Sequence, residues 1–410
     1  MERLAGFARR MWTISEDLLD TMRGTIGFAR SLGNDPDAGG GLRQAGLVAA
    51  AAGDGLMLAT FRQLRAPTSD ERVAETLEEA AALVEHLDRR GVFADPVAHH
   101  RAPSIAAIEA VTRRVGRTRF GHATYPSPYR PDPDLPGAQR FEEATDNHTV
   151  HAWMLRQSVR APWVVCLHGA GMGDPLADMV AFRAGWLHRH GFNVAIPVLP
   201  HHGPRGTGRF AVAFPTDDPA VNFHAATQAI ADVRALLGYI DAHHEPAVVF
   251  GISLGGYVAA SVAALEPGLA GVILGIPVVD IADLMRTHAP PRFVRHPAFP
   301  EFCALAGRLD SVTSPLGLPV PAVDVRRIWA GRADRLVQPQ HVERLVAHWG
   351  GPEVCWYTGG HVGFLTAPAV HRHIAEALVD SGVAEIERGT LRAVADTASV
   401  VAAHQRFRLA

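Results

Sequence analysis

Apolar positions fall into two rhythms along the chain, and the change between them comes near residue 115. Before it the period is helical. Leu4, Phe7, Met11, Ile14 and Leu18 recur every three or four residues, and so do Val73, Leu77, Ala80, Val84 and Leu87, which makes each set one apolar stripe on a helix that packs on a neighbour. Thr68 and Glu71 precede the second stripe at the spacing of a capping box. A proline-dense stretch at 122–139 has no periodic segment and predicts a loop or linker. Beyond it, RFEEATDNHTVHAWML predicts a hairpin about Asp146-Asn147. The short apolar runs WVVCL, FNVAIPVL, PAVVFGI, AGVILGIPVVDI, RRIWAG and EVCWY then predict buried strands. Between them PLADMVAFRAGWLHRHG, FHAATQAIADVRALLGYIDAH, LGGYVAASVAALEPG and QHVERLVAHWG predict helices, with HRHIAEALVDSG closing the series. Such alternation builds an α/β domain with a mostly parallel central sheet and helices on both faces. The expected division is an N-terminal helical region at 1–115, an α/β domain at 116–380 and a C-terminal helical tail at 381–410. Residues 283–321 interrupt the alternation and predict a cap-like insertion over the sheet's edge.

Composition removes several classes of function. The net charge of −3 gives no electrostatic reason to expect nucleic acid as a partner. All 39 basic residues are arginine, which excludes Schiff-base chemistry on lysine and a Walker lysine. Three cysteines, Cys166, Cys303 and Cys355, cannot make a disulfide framework. No run approaches the roughly 18 apolar residues of a membrane span; even AGLVAAAAGDGLMLATF is interrupted by Asp54 between two glycines. Glu16, Asp17 and Asp20 stand where a signal peptide needs apolar residues, so the expected location is cytoplasmic. Met11 and Trp12 beside Arg9 and Arg10 suit the first helix to a second role, contact with a membrane surface. The pairs His188/His190 and His371/His373, two apart on helices, point to different faces, so neither a metal nor any other cofactor is expected. The oligomeric state has no sequence signal.

One turn carries the candidate chemistry. In VVFGISLGGYVAA, Ser253 stands between a buried strand and a helix, with Gly251 and Gly255 two residues to either side. In a parallel sheet that place is the carboxyl edge, where ligands bind. Small flanking residues permit a tight turn that lifts the serine oxygen toward solvent, and the N–H of Leu254 at the helix start can donate to an oxyanion. A serine needs a base, and the base a carboxylate to orient it. His361 follows the strand EVCWY after two glycines, and Asp334 follows RRIWAG in a loop bounded by Gly331 and Pro339. Asp280 after AGVILGIPVVDI is the competing carboxylate. A second oxyanion donor is expected from His168-Gly169-Ala170-Gly171, with the Ala170 N–H best placed. This run lacks the spacing of a dinucleotide-binding turn. His201 and His202, after FNVAIPVL, are candidates to line a substrate pocket together with His168, Gly169 and Arg205.

HGAG, GISLGG, the GRAD loop and GGHVGF together resemble the α/β-hydrolase superfamily over about residues 140–380, with most likeness to its serine esterase and lipase branch. The resemblance implies Ser253 as nucleophile, His361 as general base, Asp334 as orienting acid, and Leu254 and Ala170 as oxyanion donors. It implies hydrolysis of a small-molecule carboxylic ester through an acyl-enzyme. A thioesterase, an acyltransferase or a carbon–carbon bond hydrolase would use the same residues. A binding protein on a hydrolase fold would not need them.

Overall fold

The computed structural model describes residues 69–394 apart from 106, 117, 207–213 and 388, together with 47–55, Arg23, Gly27 and Leu58. The stripe from Leu4 to Leu18, the membrane contact read from it, Thr68 and the tail beyond residue 394 lie outside the described residues. The strands of the main sheet are β1 (Glu109–Val115), β2 (Thr118–Pro126), β3 (Thr149–Leu155), β4 (Trp163–Leu167), β5 (Asn193–Pro197), β6 (Ala247–Ile252), β7 (Gly271–Gly275), β8 (Arg326–Gly331) and β9 (Glu353–Tyr357). They lie in the order β1-β2-β3-β5-β4-β6-β7-β8-β9. The first three strands form an antiparallel edge, and β3 also pairs antiparallel with β5. From β5 to β9 every pairing is parallel.

The parallel strands read as unbroken apolar runs because both faces are covered. Alternate residues of β4 point to opposite faces. Val165 and Leu167 join Val249, Leu274 and residues of the helices Pro219–Asp241 and Leu254–Leu265 in one core. Val164 and Cys166 join Phe250, Ile273, Trp329 and residues of the helix Pro368–Asp380 in the other. The chain adds β5 on one side of β4 and then β6 on the other. That reversal falls at β4 and β6, and in doubly wound sheets ligands bind beyond the carboxyl ends of strands at such a point.

Several sequence expectations need correction. Residues 109–115 are strand, not part of a helical region, and the loop expected at 122–139 begins only after Pro126. β1 escaped notice because it is an exposed edge with almost no buried side chain to set a period. There is no hairpin about Asp146-Asn147. A helix, Ala138–Glu142, and a 3-10 turn, Thr145–His148, lead into β3, and Asn147 is buried because its Oδ1 accepts from the His201 N–H at 2.8 Å. The helix Asp70–Arg89 is capped by Ser69, whose hydroxyl accepts from the Arg72 N–H at 3.2 Å. The helix expected from Pro175 breaks at Arg183, which is left-handed at φ 50°. The 283–321 segment is mainly helical, with helices Ile281–His288, Pro291–Val294 and Phe299–Thr313. Its last helix packs on Asp70–Arg89 and Pro219–Asp241. After the helix Pro368–Asp380 comes a hairpin of β10 (Ala384–Glu387) and β11 (Thr390–Ala393), where a helical tail was expected.

Candidate active site

Ser253 links β6 to the helix Leu254–Leu265 with φ 56° and ψ −117°, a conformation costly for any residue with a Cβ. The neighbouring backbone holds it there. Its N–H donates to Gly275 O at 2.9 Å, and its carbonyl accepts from Gly256 N–H at 2.9 Å and Val278 N–H at 3.1 Å. The flanking glycines are demanded by contact, not by φ. A Cβ on Gly255 would enter the van der Waals shell of the Leu167 carbonyl oxygen, and one on Gly251 would lie 2.6 Å from the Ala259 Cβ.

His361 and Asp334 come to this turn from the ends of β9 and β8. Asp334 Oδ1 accepts from the N–H groups of Leu336 (3.0 Å) and Val337 (2.9 Å), which fixes the carboxylate plane. Its Oδ2 lies 2.8 Å from His361 Nδ1. A carboxylate can only accept, so Nδ1 carries the proton and Nε2 is left to accept from Ser253 Oγ, 3.0 Å away. Asp334, His361 and Ser253 are only 3%, 8% and 9% exposed. Burial opposes the charge on His361, but the charge and hydrogen bond of Asp334 outweigh it and, with a second carboxylate at Asp54, raise its pKa above 6.5. The alternative acid, Asp280, is engaged elsewhere. It accepts from Asp283 N–H at 2.7 Å to cap the helix Ile281–His288 and pairs with Arg344 at 3.1 Å.

The HGAG loop after β4 runs beside the serine, since a Cβ on Gly169 would stand 3.4 Å from the Ser253 Cβ. Ala170 follows at the start of the turn. Leu254 opens its helix, where the first amides have no intrahelical acceptor.

The neighbouring histidines brace this loop. His168 is fully buried with both ring nitrogens in use: Nδ1 donates to Gly169 O at 2.9 Å, and Nε2 accepts from Leu199 N–H at 3.0 Å. Burial pushes its pKa down to about 4, so the ring is neutral. His202 stands edge-on to it at 5.1 Å between ring centres, and its Nδ1 lies 2.8 Å from the Pro200 carbonyl. His201 adopts φ 60° with Asn147 Nδ2 against its ring.

Arg205 is equally committed. It donates to Val198 O (2.8 Å) and Asn147 O (2.9 Å) and lies 2.8 Å from Asp232. Both the charge of Arg205 and its contact with the carboxylate favour ionised Asp232, against the burial that raises its pKa. Arg205→Met is expected to destabilise the protein by about 3–5 kcal/mol in denaturant unfolding, since it strands a buried carboxylate. A loss within 0.5 kcal/mol would mean that Asp232 is already neutral.

Sequence reading missed Asp54. It belongs to a helical stretch at 47–55 and is 3% exposed. Its oxygens accept from the His361 N–H at 3.0 and 2.9 Å and from the Arg335 N–H at 3.0 Å. A lone acid between glycines in an Ala-rich run was the available signal.

No protein-family model matches the chain. It is 39% identical over 335 residues to two Mycobacterium tuberculosis proteins, the uncharacterized proteins MT2702 (strain CDC 1551) and Rv2627c (strain H37Rv). The match spans 79% of this chain and 80% of each relative. Among solved structures, an acetyl xylan esterase from Paenibacillus sp. R4 superposes with a TM-score of 0.48 at 15% identity, covering 70% of this chain and 92% of that one. Acetyl xylan esterase 1 from Thermoanaerobacterium sp. JW/SL YS485 gives 0.44 at 15% identity, over 67% and 88%.

Proposed function

Because the chain belongs to the family of the M. tuberculosis proteins MT2702 and Rv2627c and is built on the α/β-hydrolase fold, we propose that it is a serine hydrolase cleaving a carboxylic ester through an acyl-enzyme on Ser253. The observation that carries this reading is the unbroken line from Asp334 Oδ2 through His361 to Ser253 Oγ, with contacts of 2.8 and 3.0 Å, ending on a serine held in a strained turn. Ser253 Oγ attacks the ester carbonyl while its proton passes to His361 Nε2. The Asp334 carboxylate stabilises the imidazolium so formed. The N–H groups of Leu254 and Ala170 hold the tetrahedral oxyanion. The alcohol departs with the proton from Nε2. Water then attacks the acyl carbon while giving a proton to His361 Nε2; the bond from the acyl carbon to Ser253 Oγ breaks as Nε2 returns that proton to Oγ, and the acid leaves.

The helices from Ile281 to Thr313 are the element proposed to select the acyl group. They are tied to the nucleophile helix through Tyr257, whose hydroxyl donates to Asp310 Oδ1 at 2.8 Å and lies 2.7 Å from Thr313 Oγ1.

A fluorophosphonate probe is expected to label the protein, with the adduct found by mass spectrometry on the peptide that contains Ser253. The labelling rate should rise with pH, because attack needs neutral His361, and its midpoint should lie above the ordinary 6.5. Folded protein without an adduct on Ser253 would overturn the assignment.

A further inference from the structure

The geometry points to Asp54 as a positioning residue for this reaction: a carboxylate from outside the sheet domain that ties the His361 loop to the Asp334 loop. The inference rests on the hydrolase reading for its rate effect but not for its titration effect.

The docking of residues 47–55 explains how the carboxylate arrives. Leu47 and Ala51 pack with Ala333 in a small buried cluster. Asp54 lies three residues beyond Ala51, on the same side of the helix, and so faces the loops that flank Ala333. There it spans both. One bonded amide is that of His361 itself, and the other is that of Arg335, directly after Asp334. The side-chain line of the triad is thereby duplicated by a backbone link between the same two loops.

Gly360 is shaped to this contact. Its φ is not positive, so conformation does not require glycine, but a Cβ would lie 2.6 Å from Asp54 Oδ1. The second glycine of GGHVGF makes room for the carboxylate.

The charged and titratable groups facing His361 are Asp334 from the β8 loop and Asp54 from the N-terminal helix, with Ser253 from the elbow. Tyr357 of β9 donates to Gly360 O at 2.7 Å, and burial keeps its phenol neutral. When His361 takes the serine proton, the imidazolium is therefore attracted by two carboxylates. Burial, with the charge of Asp334, raises the pKa of Asp54 above the ordinary carboxylate value, and the amides of Arg335 and His361 and the charge of His361 offset only part of that rise.

The test compares wild type with Asp54→Asn, which keeps the shape but loses the charge and one acceptor. Two readouts are followed against pH: the fluorophosphonate labelling rate and the NMR titration of the His361 ring. Asp54→Asn is expected to lower the rate by about ten- to a hundredfold, as a small misplacement of the base does, and to move both midpoints to lower pH. Asp54→Glu should keep the wild-type midpoint while losing rate, and Gly360→Ala should lose rate in the same way. A helix that only stabilised the fold would leave the midpoint unmoved. Folded Asp54→Asn with a rate within twofold of wild type and an unchanged His361 midpoint overturns the proposal. If wild type fails to label, the hydrolase reading falls alone, because the ring titration still decides the role of Asp54. Should Asp54→Asn fail to fold, the wild-type amide protons of His361 and Arg335 decide. A shared midpoint with the Asp54 carboxylate supports the clamp, and separate midpoints overturn it.

Discussion

Ser253→Ala is expected to lower kcat for ester hydrolysis by about 10⁶-fold, and Asp334→Asn by about 10⁴-fold, with no further loss when the two are combined. The asymmetry follows from what each side chain does. In the proposed mechanism, removing Oγ removes the nucleophile, after which His361 and Asp334 have nothing to activate. Asn at 334 can present an N–H to His361 Nδ1, which favours the tautomer with the proton on Nε2, the nitrogen that must accept from serine. Both variants should fold. Ser253 Oγ contacts only His361 among the described hydrogen bonds, and alanine meets the same backbone cost at φ 56°. Single-turnover kinetics with an activated ester, beside thermal unfolding, measures both effects. Loss of activity through unfolding, or additive losses in the double variant, would contradict a triad acting as one unit.

Gly255→Ala is expected to cost more than about 4–5 kcal/mol. The added methyl would meet the carbonyl oxygen of Leu167 and lie 2.7 Å from that of His168. Both obstacles are backbone, at the end of β4 in the middle of the sheet, and neither can rotate aside. The nucleophile helix would have to lift away from β4, carrying Ser253 with it. Gly268→Ala is the control, since nothing lies within 4 Å of its Cβ position, and it should change stability by no more than about 0.5 kcal/mol. Thermal melts of the two variants make the comparison. A normal melting temperature for Gly255→Ala would mean that helix and strand are not packed as described.

The residues of the elbow were legible because motif and element agree locally. A glycine-flanked serine between an apolar run and an Ala-rich stripe is a strand-to-helix turn on any reading, and Asp334 and His361 each follow an apolar run. The antiparallel edge was less legible. β1 buries almost nothing, so no alternation marks it, and the buried place of Asn147 depends on His201, 54 residues away. The helices Pro291–Val294 and Phe299–Thr313 were hidden by the prolines at their starts, which suit a first helical turn as well as a loop. His168 and Arg205 were singled out for their chemistry, whereas the fold uses them as braces. Asp54 was the hardest to see: its partners lie 281 and 307 positions along the chain, and no local pattern encodes such a pairing.

That separation also bears on the order in which the protein becomes competent. During synthesis Asp54 emerges 307 residues before His361, so the clamp can close only after the chain between them has been made and laid into the sheet. Closing so long a loop costs little more in free energy than closing one half its length, yet it is slow to find. Docking of residues 47–55 is accordingly expected after the strands that carry Asp334 and His361 have paired, and until then the amides of His361 and Arg335 lack the acceptor that Asp54 provides.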